Sequence, residues 1–435
     1  MKRLYVMLSL LVLASLVLAA CGPATEAPTE APSAAPTEAP TEAPTEAPAA
    51  FECTDAVGCV TIAPGEPIHF AYIQSVSGAT ASLGQTNVNG AQIAIDDKGG
   101  ELLGHPIQFD GEDSLCNAEG GQAAGTKVTA DPTVVAILGT TCSSEARAAG
   151  PLVEAAGMVM MSSSNTNPDL TTPDHSDWHV GYFRTAHNDL FQGRIAAEYA
   201  YNELGLTKAA TVHDGSPYAD GLRKVFEAVF TELGGTITSS EAVNVGDTDF
   251  KPVLTTIAAG GPEIIYFPIF EPEGNGFASQ KCEVSGLENT ALMGADGLFT
   301  SGFASTSGSC AVGMYLSSPY VAGDAGATFL EKYRATFGED PASGFGPHSY
   351  DAMNIFFAAI EQVAVVEADG TVHIPRGALR DAIYATTGFA GLTGNLSCDA
   401  NGDCATGEAL AVYQISQAMV DGSENLTTSV PVWQP

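Results

Sequence analysis

Two hydroxyl-rich turns, one aromatic and one carboxylate are the residues of this 435-residue chain whose types and spacing could do chemistry. Thr140-Thr141-Cys142-Ser143-Ser144 follows the apolar run 134–138 and precedes a helical pattern that starts near Glu145. A helix start carries unpaired backbone N–H groups and the positive end of the dipole, so a Ser/Thr-rich turn leading into one can hold a carboxylate without a cationic side chain. The same residues also read as an ordinary helix cap by Ser143 or Ser144, and the segment alone leaves both readings open. Ser162-Ser163-Ser164-Asn165-Thr166 repeats the arrangement after the short run 158–161. Further along, Val212-His213-Asp214-Gly215-Ser216-Pro217-Tyr218 and Gly294-Ala295-Asp296-Gly297 end two more strand-like runs. An aromatic face and a carboxylate are what an ammonium group needs, through cation–π attraction and a charge-assisted hydrogen bond. Hydroxyls and amides on one wall, with Tyr218 and Asp296 on the other, describe a receptor for a small zwitterion.

Catalytic and metal chemistry is poorly supplied. The chain has no G-x-S-x-G nucleophile elbow. His213 and Asp214 are adjacent on a strand, where neighbours point to opposite faces and cannot pair as base and orienter. His175 and His179 are spaced for a helical metal site, but the stretch 168–178 is too turn-rich for a helix, so exposed histidines account for them. Asp399-Ala400-Asn401-Gly402-Asp403 resembles half of a calcium loop, yet Cys404 stands where Gly is needed and Leu410 where the closing Glu belongs. A hairpin turn stapled by Cys398 and Cys404 explains the same residues. No enzyme activity, cofactor or metal is expected.

The elements that must position these turns follow from hydrophobic periodicity. Strand candidates are 68–74, 106–110, 134–138, 158–161, 209–213, 236–243, 263–269 and 291–293, and helical patterns fill 84–98, 118–130, 145–156, 188–204, 220–233 and 250–259. This alternation predicts parallel sheets covered by helices. Both hydroxyl turns fall at carboxyl ends of strands, the edge where open α/β sheets collect ligands. The series divides into two lobes, the second opening with the Asn188 helix after the turn-rich segment 167–181. A later helical block, 324–337 and 349–365, precedes 388–415, which reads as a hairpin closed by Asn401-Gly402. Tyr350-Asp351-Ala352 reads as helix packing.

The amino-terminal segment points outside the cytoplasm. Lys2 and Arg3, an apolar run from Leu4 to Leu18 and the tetrad Leu18-Ala19-Ala20-Cys21 make residues 1–20 an export signal. The tetrad resembles a bacterial lipobox, with Cys21 the lipidated first residue of the mature chain; an ordinary core thiol is the plainer alternative. The T-E-A-P repeat that follows cannot bury enough apolar area to offset ordering entropy, so residues 21–66 are expected to form a Pro/Glu/Thr/Ala tether. A formal net charge of −35, from 16 Lys plus Arg against 51 Asp plus Glu, argues against nucleic-acid partners. Setting Cys21 aside leaves eight cysteines in an exported chain, the situation in which disulfides are the default. Neighbour pairing suggests Cys53–Cys59, Cys116–Cys142, Cys282–Cys310 and Cys398–Cys404, one of many possible connectivities.

Taken in order, Ser77-Gly78 to Gly84, Asn89-Gly90-Ala91, Gly99-Gly100, Thr141-Cys142-Ser143-Ser144, Asn165-Thr166-Asn167-Pro168, Val212-His213-Asp214 with Tyr218, and Met293-Gly294-Ala295-Asp296-Gly297 resemble the leucine/isoleucine/valine-binding proteins of ABC importers over residues 68–417. The resemblance implies the type 1 periplasmic binding protein fold: α/β, two Rossmann-like lobes with parallel sheets flanked by helices, joined by three hinge crossovers. Lobe 1 would comprise 67–187 plus about 322–388, and lobe 2 188–321 plus about 389–435. It supports a Cys116–Cys142 disulfide. Ser143 and Thr166 would bind the ligand carboxylate, while the Ser164 carbonyl, Thr166 and Asp296 would take the ammonium. Tyr218 would cover the ligand, with Phe270 a second aromatic and Leu83 packed beside it. Two departures bear on the ligand side chain: the acid is commonly Glu, here the shorter Asp296, and the second turn reads Ser-Ser-Asn-Thr instead of an alanine-rich form.

In function the resemblance implies a monomeric lipoprotein on the outer face of the cell membrane, or periplasmic, that captures an amino acid, branched-chain or similar, and hands it to ABC permease subunits. The same fold resembles ligand-sensing modules and binders of amides, urea or aromatic acids. A sensor would be expected to continue past Ile415 into a spanning helix or signalling domain.

Overall fold

The structure, a computed structural model, describes residues 51–321, 323–405 and 410–435. The expected signal, Cys21 and the T-E-A-P repeat lie outside the described residues. A tether running to residue 66 needs correction, because Cys59–Ile62 is a strand paired antiparallel with Val372–Pro375. Val60 and Ile62 are buried, and Phe51 stacks on His373 with ring centroids 4.1 Å apart. The Pro/Glu repeat has ended by then, and the alternating apolar residues that replace it are what a sheet can bury.

The first lobe carries a six-stranded sheet in the order Glu101–Leu102, His105–Asp113, Ile68–Gln74, Val134–Gly139, Met160–Ser162, Tyr182–Arg184, parallel except for the first pair. The second lobe has the order Leu410–Gln414, Tyr315–Pro319, Ala291–Gly294, Ile264–Tyr266, Lys208–His213, Thr236–Ala242, with only Leu410–Gln414 antiparallel. In both, the long first strand lies between the strands that follow it, so the winding reverses beside it and opens the crevice where doubly wound sheets take ligands. Val134–Gly139 is buried at every position, as a parallel strand with helices on both faces must be. Helix Pro217–Glu232 shows the local logic. Ser216 Oγ accepts from Ala219 N at 3.1 Å, Pro217 starts the first turn, and Leu222, Phe226 and Phe230 bury one face.

The chain crosses between lobes three times: from Tyr182–Arg184 into helix Asp189–Glu198, from Tyr315–Pro319 into helix Gly323–Phe337, and between residues 404 and 410. Helices Gly323–Phe337 and Gly346–Val363 return to the first lobe, where Phe329 and Tyr333 pack on Ile93 and Phe356 joins Ala91 and Ala94.

The segment 388–415 is not a single hairpin. Phe389–Gly391 pairs with Gly394–Leu396 around Leu392-Thr393, whose N–H groups donate to Asp351 at 2.7 and 2.9 Å. Leu396 and Cys404 belong to the first lobe's core, whereas Leu410–Gln414 joins the second sheet. The carboxy-terminal return to lobe 2 therefore begins near 410, not 389. Asn401-Gly402 does turn the chain, Gly402 N donating to Asp399 O at 3.2 Å, but inside the Cys398–Cys404 disulfide loop and not between the ends of one long hairpin. The sulfurs of the other three neighbour pairs, Cys53–Cys59, Cys116–Cys142 and Cys282–Cys310, are likewise joined. Among the described residues no helix is long and apolar enough to cross a membrane.

Candidate functional site

Ser143 opens helix Ser143–Ala155 directly beyond the strand Val134–Gly139. Glu145 folds back over this start, accepting from Cys142 N at 2.7 Å and Cys116 N at 2.5 Å. Burial pushes the Glu145 carboxyl up to about 7. The Cys116–Cys142 disulfide ties the same turn to the loop after His105–Asp113. The Ser143 and Ser144 N–H groups have no partner within the described residues, which is the anion-holding geometry of a helix start. Ser143 Oγ accepts from Asn167 N at 3.4 Å, joining the two hydroxyl turns.

Ser164 Oγ donates to Thr141 O at 2.9 Å and accepts from Asn87 Nδ2 at 2.9 Å, so its hydroxyl is committed to the wall. Gln74 Oε1 completes that network, accepting from Thr141 Oγ1 at 2.7 Å and Asn87 Nδ2 at 3.0 Å. Thr166 Oγ1 is buried without a partner, and Thr166 O accepts from Asp189 N at 2.9 Å. Leu83 reaches the same place because Gly84 lets helix Ala81–Asp97 lie against the Ser75 carbonyl, where a Cβ would clash.

The opposing wall is held by a chain of hydrogen bonds. Tyr218 Oη donates to Asp296 Oδ1 and accepts from Gly297 N, each at 3.1 Å. Gln192 Nε2 donates to the same Oδ1 at 2.7 Å and to Ser317 O at 3.0 Å, and its Oε1 lies 2.5 Å from His187 Nε2. Both side-chain bonds to Asp296 thus fall on Oδ1, leaving Oδ2 to a ligand. Burial raises Asp296 to about 6 and pushes His187 down to about 4. Phe270 lies 4.8 Å from the Tyr218 ring.

Leu83, Ser143, Ser164, Tyr218, Phe270 and Asp296 line one narrow cavity between the lobes, together with Thr141, Cys142 and Phe345. Thr166 does not line it; it lies fully buried. The lobes touch at the rim, where Asn167 Nδ2 donates to Pro217 O at 2.6 Å. Two contributors escaped the sequence reading. Phe345 sits just before helix Gly346–Val363 and stacks on His187 at 6.0 Å, and nothing local marks it. Gln192 lies on a helix of the second lobe far from Asp296 in sequence.

Residues 67–420 match the sequence profile described as periplasmic binding protein. The chain belongs to that family. The leucine-specific-binding protein of Salmonella typhimurium is 26% identical over 376 residues, covering 84% of this chain and 94% of that protein. An amino acid binding protein of Pseudomonas aeruginosa is 29% identical over 304 residues, covering 66% of this chain and 75% of that one. The crystal structure of the branched-chain amino acid transporter substrate binding protein LivJ from Streptococcus pneumoniae, in complex with isoleucine, has a TM-score of 0.70 at 24% identity, covering 85% of this chain and 100% of that chain. At that identity the likeness is one of fold. Family membership makes the chain a binding protein, not an enzyme.

The other chemistry-like residues of this binding protein have local roles. His213 Nδ1 accepts from Gly215 N at 3.1 Å and Asp214 Oδ1 from Ser216 N at 2.9 Å, so the two shape a turn instead of pairing. His179 pairs with Glu154 at 2.8 Å, apart from His175. Asp169, His175 and Asp177 bring ligand-type atoms within 4.8 Å of one another, but Asp177 is already ion-paired with Arg147 at 2.5 Å.

Proposed function

We propose that this chain is an extracytoplasmic solute-binding lipoprotein, anchored through Cys21, that captures an amino acid, branched-chain or similar, between its lobes and presents it to the permease of an ABC importer. One observation carries the reading: a helix start with unpaired N–H groups on one wall faces, across a small cavity, a buried carboxylate with one free oxygen on the other. Ser143, with Thr166 behind it, takes the ligand carboxylate. The Ser164 carbonyl and Asp296 take the ammonium, beneath Tyr218 and Phe270. Each charge-assisted hydrogen bond is worth about 1.5–3 kcal/mol. Leu83, Phe270 and Phe345 bury the ligand's aliphatic part at about 25 cal/mol per Å² removed from water. The ligand specificities of the Salmonella and Streptococcus proteins support the same class. Because ligand touches both lobes only when they meet, it binds the closed form with the higher affinity that a population shift requires, and the permease reads that shape.

Calorimetry against leucine, isoleucine and valine, with short amides, urea and benzoate as contrasts, tests the reading. One-to-one binding of branched-chain amino acids is expected. Tight binding of an aromatic acid without an ammonium, equal in wild type and Asp296→Ala, overturns it. For the anchor, Cys21→Ser is expected to move the protein from the membrane fraction to the soluble one.

A further inference from the structure

The loop closed by Cys398 and Cys404 is built around one buried ion pair. Asp403 Oδ2 accepts from Arg184 Nε at 3.2 Å and Nη2 at 2.6 Å, and from Asn188 Nδ2 at 3.2 Å. Arg184 is 0% exposed and ends the strand Tyr182–Arg184, immediately before the first lobe crossing. Its remaining donors reach Thr171 Oγ1 at 2.6 Å, Asn167 O at 2.8 Å and Asn165 O at 3.4 Å. The guanidinium therefore grips the carbonyls on either side of Thr166.

The loop is fixed so that it can present this carboxylate. Asp399 Oδ1 accepts from Asn401 N at 2.8 Å and Asp403 N at 2.9 Å. Backbone bonds run from Arg184 N to Gly402 O at 2.9 Å and from Cys404 N to Arg184 O at 3.0 Å. Gly402 has φ of +93° and lies so close to the Tyr182 carbonyl that no Cβ fits. A planar guanidinium with its donors committed holds geometry well, but a buried one needs its counter-charge, and Asp403 is the carboxylate that supplies it.

We infer that Asp403, acting through Arg184, is a positioning residue for ligand capture, holding the turn 165–167 in its ligand-ready shape before the ligand arrives. The inference rests on the reading that Ser164, which precedes this turn, and Ser143, whose Oγ accepts from Asn167 N, grip the ligand. A turn already ordered costs less to order on binding.

The test joins hydrogen exchange of the ligand-free protein to calorimetry with L-leucine. Asp403→Asn keeps the shape and removes the charge. In that variant the amides of 165–167 and of Asp189 are expected to exchange about tenfold faster, and Kd for leucine to rise by about the tenfold that supporting contacts of bound groups command. Exchange in the distant Leu316–Tyr413 pairing stays unchanged. If Asp403→Asn does not fold, Thr171→Val, which removes another Arg184 acceptor at constant shape, is expected to give the same pattern. Unchanged exchange at 165–167, or a lowered melting temperature with unchanged Kd, overturns the inference. Faster exchange in the variant, with a wild type that binds no branched-chain amino acid, supports the clamp and removes the ligand reading alone.

Discussion

Gln192, on the first helix after the lobe crossing, donates from Nε2 to Asp296 Oδ1 at 2.7 Å although the two are 104 positions apart. With Tyr218 on the same oxygen, the carboxylate is oriented by both of its neighbours, and neither of these bonds falls on Oδ2. Asp296 is thereby held in place by side chains from two helices.

Removing the acid leaves a buried ammonium without its counter-charge. Asp296→Ala is expected to weaken amino acid binding by about 2–4 kcal/mol, and Gln192→Leu, which only loosens the acid, by about 1 kcal/mol. Calorimetry at neutral pH ranks the two, and a Gln192→Leu loss as large as that of Asp296→Ala contradicts the orienting role.

Affinity should also depend on pH through Asp296, which burial raises to about 6. Above that value the group is ionised and opposes the ammonium; below it the group is neutral and the pair is lost. Affinity is expected to fall by up to about tenfold per pH unit as pH drops below about 6, and Asp296→Asn to bind weakly with a flat profile. A wild-type affinity constant from pH 7.5 to 5 contradicts this.

Stability carries a different signature. Burial disfavours the charge of Glu145 and pushes its carboxyl up to about 7, from an ordinary 4.5. The folded state then holds the proton more tightly, so this contribution is complete below the unfolded value and is lost as pH rises through about 7. His187 and His348, depressed by burial to about 4 and about 3, have the opposite sign: their contribution is present above 6.5 and fades as pH falls. From pH 6.5 to 8 the unfolded histidines still lose protons, so the two regain about 0.4 kcal/mol each and offset the loss on the order of 1 kcal/mol expected from Glu145. Urea unfolding across that window should show Glu145→Gln gaining about 1 kcal/mol on the wild type as pH rises, and a constant difference contradicts this.

The Cys116–Cys142 bridge spans 26 positions and anchors the serine turn. Replacing both cysteines by serine is expected to cost about 3–4 kcal/mol by the loop-entropy argument and to weaken ligand binding as the turn loosens. Denaturant midpoints and calorimetry on one preparation measure both, and unchanged affinity would separate the bridge from the site.

Much of the fold was legible because hydrophobic periodicity is a local property. The strand runs at 68–74 and 134–138 and the helix at 118–130 appear within a residue or two of where periodicity puts them. Short strands were harder. Tyr182–Arg184 and Tyr315–Pro319 have too few residues, mixed with polar ones, to show a period, and become strands because a sheet is already there to pair with. Asn401-Gly402 turns the chain as its local signal predicts, but that signal cannot report that Leu396 and Leu410, on either side of it, belong to different lobes.

For the site the division is similar. Residue types at strand ends, with the resemblance they carry, were enough to nominate Ser143, Ser164, Tyr218, Phe270, Leu83 and Asp296, since polar turns beyond parallel strands announce a ligand edge by chemistry alone. Only tertiary structure decided that these six meet in one cavity while Thr166 stays behind the wall, that Phe345 joins them and Gln192 orients Asp296, and that Asp403 braces the first wall. Those contacts link segments tens to hundreds of positions apart, and local pattern holds no information about which distant groups share the cost of burying a charge.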